Sequence, residues 1–141
     1  MTGPAIDWRV HFASPTETVW RAWTTDDGRE SFWAHRSLRD ETGFDLSFLN
    51  GEKLRIDLIE ARAPERLAFF YFGGSAVTIE LSPDGRGGCD LRLREEGAPE
   101  PVVNYAGWVT VLLACKAAVD FGIDLRNRDP RRTWDEGFVD V

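Results

Sequence analysis

The sequence predicts an α+β fold in which a curved antiparallel sheet of about six or seven strands surrounds one long C-terminal α-helix, with two short helices after strand one. Apolar residues alternate with polar ones at the start of the chain and again over residues 36–96, which is typical of strands. Helical spacing appears in between, over residues 16–33, and returns over residues 102–121. With 141 residues, of which 43% are hydrophobic, the chain can form one well-cored domain but not two ordinary ones.

The first third of the chain predicts a strand followed by two helices. Strand one is expected over residues 5–13, where every second residue is apolar: Ile6, Trp8, Val10 and Phe12. Ser14 and Glu17 stand on either side of Pro15 and Thr16 in the order of a capping box, which predicts a helix start. That helix has an apolar side of Val19, Trp20 and Trp23. The stretch Thr24-Thr25-Asp26 can cap a second short helix that ends near Phe32 and Trp33.

Residues 36–96 predict an antiparallel meander, because runs with period two are separated by residues that favour turns. Asn50 and Gly51 predict a two-residue type I′ hairpin, which needs positive φ at both positions. Residues 69–72 are apolar on both faces, so Phe70 and Phe72 should lie opposite Phe69 and Tyr71. We expect Phe70 and Phe72 to be covered by the C-terminal segment that carries Trp134 and Phe138, or by a second copy of the chain.

The last regular element is predicted to be a helix over residues 101–122, with Pro101 at its start and a left-handed cap at Gly122. Its length approaches that of a membrane span, but Asn104, Lys116 and Asp120 interrupt the apolar run. We therefore expect a core helix packed into the sheet, with no membrane insertion. We divide the chain into one domain, residues 1–123, and a docked tail, residues 124–141.

Composition excludes several classes of protein. The formal charge of −7 disfavours nucleic acids and anionic membrane surfaces as partners. The two cysteines form no metal-binding motif, and no phosphate-binding loop, dinucleotide motif or catalytic triad pattern occurs, so we expect no metal, no cofactor and no catalytic residue. The start of the chain lacks the pattern of an export signal, which makes the cytoplasm the expected location.

A sheet curled around one long helix is a helix grip, and a cavity between helix and sheet is common in that architecture. The chain resembles the START-like (SRPBCC, birch-pollen-allergen-like) superfamily, in its AHSA branch of homologues of the heat-shock-protein ATPase activator. The resemblance covers about residues 5–123. The motifs that carry it are residues 12–20 (FASPTETVW), residues 23–26 (WTTD), Phe32-Trp33, residues 63–67 (APERL), and Gly107-Trp108 opening a helix through Leu112 to Lys116.

Three functions remain open. The first is a module that binds a hydrophobic, aromatic or lipid-like small molecule. The second, implied by the superfamily, is a cyclase or aromatase-type enzyme acting on a polyketide-like ligand. The third is an interaction protein with a chaperone partner, and a homodimer is also compatible with the pattern. We expect the cavity to be lined by Trp8, Trp33, Ile56, Phe69, Tyr71, Tyr105, Trp108, Leu112 and Lys116.

Lys116 has two interpretations. It falls near the middle of the apolar stripe of the long helix, so its ammonium group could face the sheet and anchor a carboxylate or carbonyl of a ligand. Alternatively, its aliphatic stem packs while the head reaches Asp120, one helical turn on.

Overall fold

A computed structural model describes residues 5–141. It contains one seven-stranded antiparallel sheet in the order β1-β7-β6-β5-β4-β3-β2, with three α-helices, which confirms the predicted α+β class and helix-grip arrangement. The elements are β1 Ile6–Phe12, α1 Thr16–Thr24, α2 Asp26–Glu30, β2 Arg36–Arg39, β3 Gly43–Ser47, β4 Lys53–Arg62, β5 Arg66–Phe70, β6 Ala76–Pro83, β7 Cys89–Glu96 and α3 Pro101–Phe121, with short 3-10 turns at Phe72–Gly74 and Trp134–Glu136.

The sheet buries one face because its paired strands keep their apolar residues in register. Ile79 pairs with Leu93 between β6 and β7, and Val10 pairs with Leu91 between β1 and β7. The β7 residues Leu91 and Leu93 are fully buried. The last strand in the sequence, β7, thus lies beside the first strand, β1. The sheet curves around α3.

Helix α3 packs on this face through Trp108, Leu112 and Cys115, all buried. It ends where Gly122 takes a φ of 65°, as predicted, and the backbone N–H of Ile123 donates to Ala117 O. The helix is long and apolar enough to cross a membrane by length and composition, and 28% of its most apolar window is buried. Its outward face is therefore more apolar than a simple core stripe predicts, with Val102, Ala106, Val109 and Leu113 exposed.

The capping-box prediction is wrong. Helix α1 begins at Thr16 after Pro15, and no side chain caps it. The Ser14 hydroxyl donates instead to Asp120 Oδ1 at 2.8 Å, and the backbone N–H groups of Ala13 and Ser14 donate to the same carboxylate. A carboxylate is a stronger acceptor than a neutral group, so Asp120 on α3 takes the hydroxyl and ties β1 to the long helix.

Two turn predictions are also corrected. The β3–β4 connection is longer than a two-residue hairpin: Phe48 N donates to Glu52 O, and only Gly51 of the predicted pair has positive φ. Strand β5 stops at Phe70, since the 3-10 turn that starts at Phe72 redirects the chain, and Phe72 packs against the core instead of the outer face.

The C-terminal tail, residues 124–141, lies across the end of α2 and the β3–β4 connection. The guanidinium group of Arg126 donates to Ala34 O at 3.0 Å and to Glu30 O at 2.6 Å, and Asn50 Nδ2 donates to Asp135 Oδ2 at 2.9 Å. Phe70 remains 48% exposed, so the expectation that the tail covers this residue is wrong. The polar anchors of the tail lie elsewhere and determine its path.

Candidate functional site

A cavity of about 480 Å³ lies between α3, the residues after α2, the β3–β4 connection and the tail. Its volume falls in the usual range for small-molecule sites. Three of the aromatic rings that line it come from distant parts of the chain: Trp33 follows α2, Tyr71 follows β5 and Trp108 lies on α3. The fold therefore brings together residues that are up to 75 positions apart in the sequence.

The three rings form one continuous aromatic surface. The Tyr71 and Trp108 centroids lie 4.8 Å apart, those of Trp33 and Trp108 lie 5.9 Å apart, and Trp33 is 6.3 Å from Tyr71. Phe69 supports this surface from the sheet at 5.8 Å from Trp33. Rings at these distances and tilts attract each other, so the surface is held in place and suits a flat apolar ligand.

A buried carboxylate fixes the α3 side of the cavity. Glu95 is fully buried at the end of β7 and accepts hydrogen bonds from Trp108 Nε1 at 2.9 Å and Asn104 Nδ2 at 3.0 and 3.1 Å. The Ser75 hydroxyl also donates to it. Since Trp108 and Asn104 both line the cavity, Glu95 determines the orientation of two lining side chains from behind.

Tyr71 brings a phenol to this surface. Burial raises its pKa above the ordinary value, the negative charge of Glu95 raises the pKa further, and hydrogen bonding from Trp33 only partly opposes these effects. The phenol is therefore protonated at neutral pH. It can donate a hydrogen bond to a carbonyl or hydroxyl oxygen of a ligand.

Of the nine residues expected at the cavity, Trp33, Tyr71 and Trp108 line it. Ile56, Phe69 and Leu112 are buried in the core and belong to its supporting layer. Trp8 and Tyr105 lie outside it: their ring centroids are 4.5 Å apart, Trp8 Nε1 donates to Tyr105 O, and Tyr105 is 47% exposed. The structure does not bring these two residues to the cavity, because they pack against each other where β1 adjoins α3, outside the lining.

The ligand-anchor interpretation of Lys116 is also wrong. Its ammonium group lies 3.2 Å from Asp120 Oδ2 and donates to His11 O, outside the cavity lining. The Asp120 side chain is only 1% exposed. The flexible side chain of Lys116 therefore places its ammonium group beside a buried carboxylate on the same helix.

The sequence reasoning missed the polar half of the lining. The α3 residues Asn104, Gly107, Thr110 and Val111 contribute one wall, and the tail contributes another from Arg126–Asp129, Arg132–Asp135 and Val141. Glu95 had a signal, because it continues the inward alternation of Cys89, Leu91 and Leu93. The aromatic residues Trp134 and Phe138 indicated that the tail docks, but not where, since the anchors of Arg126 are backbone carbonyls more than 90 positions away.

The described residues offer no metal centre: among residues 5–141 no group of three or more His, Cys, Asp or Glu side chains could hold a metal ion. His11 pairs with Asp90 at 2.9 Å, and Ser14 is bonded to Asp120, so these two residues do not form a nucleophile and base pair. The cavity offers aromatic surface and hydrogen-bonding groups.

Comparison with known proteins agrees with this architecture. Residues 13–117 match the family model described as Activator of Hsp90 ATPase homolog 1-like protein. No curated protein matches. Among solved structures, protein SSP2350 from Staphylococcus saprophyticus has a TM-score of 0.77 at 22% identity, with 87% of this chain and 96% of that chain covered.

Two other structures bear on function. The Aha1 dimer from Colwellia psychrerythraea has a TM-score of 0.75 at 17% identity, with 85% of this chain and 98% of that chain covered. DynU16, a protein in the dynemicin biosynthetic locus, has a TM-score of 0.75 at 20% identity, with 86% of this chain but only 49% of that chain covered. At these identities the structures show the shared fold alone. The family match covers most of the chain, and the chain therefore belongs to the Activator of Hsp90 ATPase homolog 1-like family, the AHSA branch of the START-like superfamily.

Proposed function

We propose that the protein binds a hydrophobic, aromatic small molecule in the cavity between α3, the sheet and the tail. The observation that carries the proposal is the continuous aromatic surface of Trp33, Tyr71 and Trp108 in a cavity of about 480 Å³. Trp33 and Trp108 are already buried, so a bound apolar ligand would remove from water the part of the apolar lining that is still exposed, which is the main source of affinity in such sites.

A binding role in the cytoplasm needs no reactive group, and it fits a cavity whose histidine, His35, has no catalytic partner beside it among the described lining residues. The chaperone-activator alternative draws on the family name and on the Aha1 relative. Solvent extraction of the purified protein followed by mass spectrometry separates the two. A bound small molecule supports the carrier, whereas an empty cavity together with stimulated ATPase activity of a chaperone supports the activator.

The direct test fills the cavity from α3. A Cβ built on Gly107 meets no atom within 4 Å, so Gly107→Leu should fold while its side chain occupies the cavity. We expect it to weaken binding of the neutral fluorescent probe N-phenyl-1-naphthylamine by about tenfold or more. The control is Gly107→Ala, which adds one carbon at the same position and meets no atom within 4 Å. Equal probe affinity in both variants would contradict the proposal.

A cyclase or aromatase-type enzyme is the second candidate. It is favoured by the polar groups beside the aromatic surface, namely the protonated phenol of Tyr71 and the Asn104 amide oriented by Glu95. The likeness to DynU16 points the same way. The test is incubation with a linear poly-β-ketone thioester. A cyclised product whose formation is lost in Tyr71→Phe supports the enzyme, and unchanged thioester supports the carrier.

The proposal extends to a homodimer through the exposed apolar face of α3. Val102, Ala106, Val109 and Leu113 follow the four-three-four spacing of a helix-packing seam, and the Colwellia relative is a dimer. Leu113→Glu should shift the protein to the monomer in light scattering after size-exclusion chromatography. The control Leu38→Glu changes an exposed leucine on the edge strand β2. A mass unchanged by Leu113→Glu would contradict the interface.

A further inference from the structure

The C-terminal tail differs in chemistry from the other walls of the cavity. The folded domain presents most of the aromatic rings, whereas the tail presents mainly charged side chains beside Trp134: Arg126, Arg128, Asp129, Arg132 and Asp135. The tail also lies beyond residues 13–117, the part that matches the family model. The family match therefore does not account for its contribution to the cavity.

The arginines of this wall are already engaged. Arg126, whose side chain is 5% exposed, contacts Asp124 Oδ1 at 2.9 Å and the two backbone carbonyls described above. Arg128 contacts Asp124 Oδ2 at 2.8 Å, and Arg132 pairs with Asp129. Arg126 and Arg128 thus tie the tail to the end of α2, Arg132 is paired within the tail, and each guanidinium group already has a carboxylate partner.

Three carboxylates around the cavity, unlike Asp129, have no basic partner among the described residues. Glu52, Glu100 and Asp135 all line it, and among residues 5–141 none of the three forms an ion pair with a basic side chain. An anionic ligand would lose water on entry and meet three carboxylates without basic partners, whereas the arginines of the lining are already paired with carboxylates. A neutral ligand pays neither penalty.

We propose that the tail is the selective wall of the cavity: it closes the site over a bound molecule and excludes anions, so that the ligand is an uncharged aromatic compound. This inference rests on the proposed binding function. It assigns to residues 124–141 a role in ligand choice that packing alone does not require.

The first experiment uses two probes with the same ring system. N-phenyl-1-naphthylamine is neutral, and 8-anilinonaphthalene-1-sulfonate carries a sulfonate. In fluorescence titrations of the full chain we expect the neutral probe to bind about tenfold tighter or more. Equal or tighter binding of the sulfonate would overturn the exclusion of anions.

The second experiment changes one tail charge. Asp135→Asn keeps an oxygen that can accept the hydrogen bond from Asn50 but removes the negative charge. It should strengthen sulfonate binding severalfold relative to neutral-probe binding measured in the same variant. The matched control is Glu136→Gln, the exposed neighbour outside the cavity lining. Identical sulfonate affinity in wild type, Asp135→Asn and Glu136→Gln would overturn the role of the tail charges.

The third experiment loosens the tail. Arg126→Met removes its central anchor and should speed dissociation of the neutral probe by about tenfold in stopped-flow measurements. Arg131→Met changes an exposed tail arginine outside the lining and should behave as wild type. If Arg126→Met does not fold, Asn50→Ala removes the second anchor from an outer loop. Unchanged dissociation in the folded variants overturns closure by the tail. Loss of the difference between Gly107→Leu and Gly107→Ala instead overturns the binding function itself.

Discussion

The indole of Trp108 belongs to both the core and the cavity. It is 1% exposed, packs against Tyr71 and Trp33, and donates to Glu95. We predict that Trp108→Ala lowers the free energy of unfolding by about 3–5 kcal/mol, the range for a large aromatic residue in a core. Chemical denaturation measures this loss. An unchanged free energy would mean that the indole does not pack as described.

Asp120 predicts a pH dependence. Burial raises the pKa of its carboxyl, but the hydrogen bonds from Ala13, Ser14 and Lys116 outweigh burial and lower the pKa below its ordinary value. A carboxyl with a lowered pKa in the folded state stabilises the protein above about pH 4, its unfolded pKa, and this stabilisation is lost as pH falls through the folded pKa.

We therefore expect Asp120→Asn to be less stable than wild type at pH 7, with a difference that narrows below about pH 4. Thermal melts over a pH series measure this difference. The control Asp90→Asn, at a side chain 60% exposed, should show a much smaller effect at pH 7. A constant difference between wild type and Asp120→Asn from pH 7 to pH 3 would contradict the role of this carboxylate.

Single residues were the least predictable part of the site. Trp33 and Trp108 could be predicted because, in a helix grip, the end of the second short helix and the start of the long helix lie near the cavity. Tyr71 could be predicted because a buried phenol normally needs a hydrogen-bond partner. The position of the Lys116 ammonium group could not be predicted. The helix angle gives the direction of the Cα–Cβ bond, but the long, flexible side chain can carry the charge elsewhere. The prediction that Trp8 lines the cavity was wrong for a different reason. Alternation of apolar and polar residues shows which face of the sheet a side chain is on, but not which part of α3 the strand adjoins.

At the scale of elements, two glycine-to-alanine changes in α3 should alter stability in opposite directions. Gly122 has a φ of 65°, and a Cβ there meets no atom within 4 Å, so Gly122→Ala costs only backbone strain of about 1 kcal/mol. Gly107 lies inside the helix with equal free space around a Cβ, so Gly107→Ala should stabilise the protein by up to about 1 kcal/mol. Thermal melts should move in opposite directions, and a shift of the same sign in both would contradict the assigned helix end.

Elements with strong periodicity were predicted well, and their junctions were not. The strands, α3 and the Gly122 cap agree with the sequence pattern, since period and cap chemistry are local. The capping box at Ser14 and the hairpin at Asn50 failed because distant groups, Asp120 and the backbone of Phe48 and Glu52, determine the geometry there. Local preference decides a turn only where no stronger partner competes.

At the scale of the whole molecule, the order of the elements was enough to predict the sheet around the helix, but the cavity needed the tail. The domain supplies the aromatic surface, and a segment with no strong periodicity supplies the remaining wall through contacts to backbone carbonyls. Backbone acceptors carry no sequence signal, so this wall could be found only in the folded chain.

The central claim is that a small aromatic molecule binds between Trp33, Trp108 and the tail. The six indole N–H groups report on it directly in a two-dimensional NMR titration with N-phenyl-1-naphthylamine. We predict that the Trp33, Trp108 and Trp134 signals shift together with one affinity, while those of Trp8 and Trp20, outside the cavity lining, stay in place. Shifts confined to Trp8 and Trp20, or no saturable shift at Trp33 and Trp108, would contradict the claim.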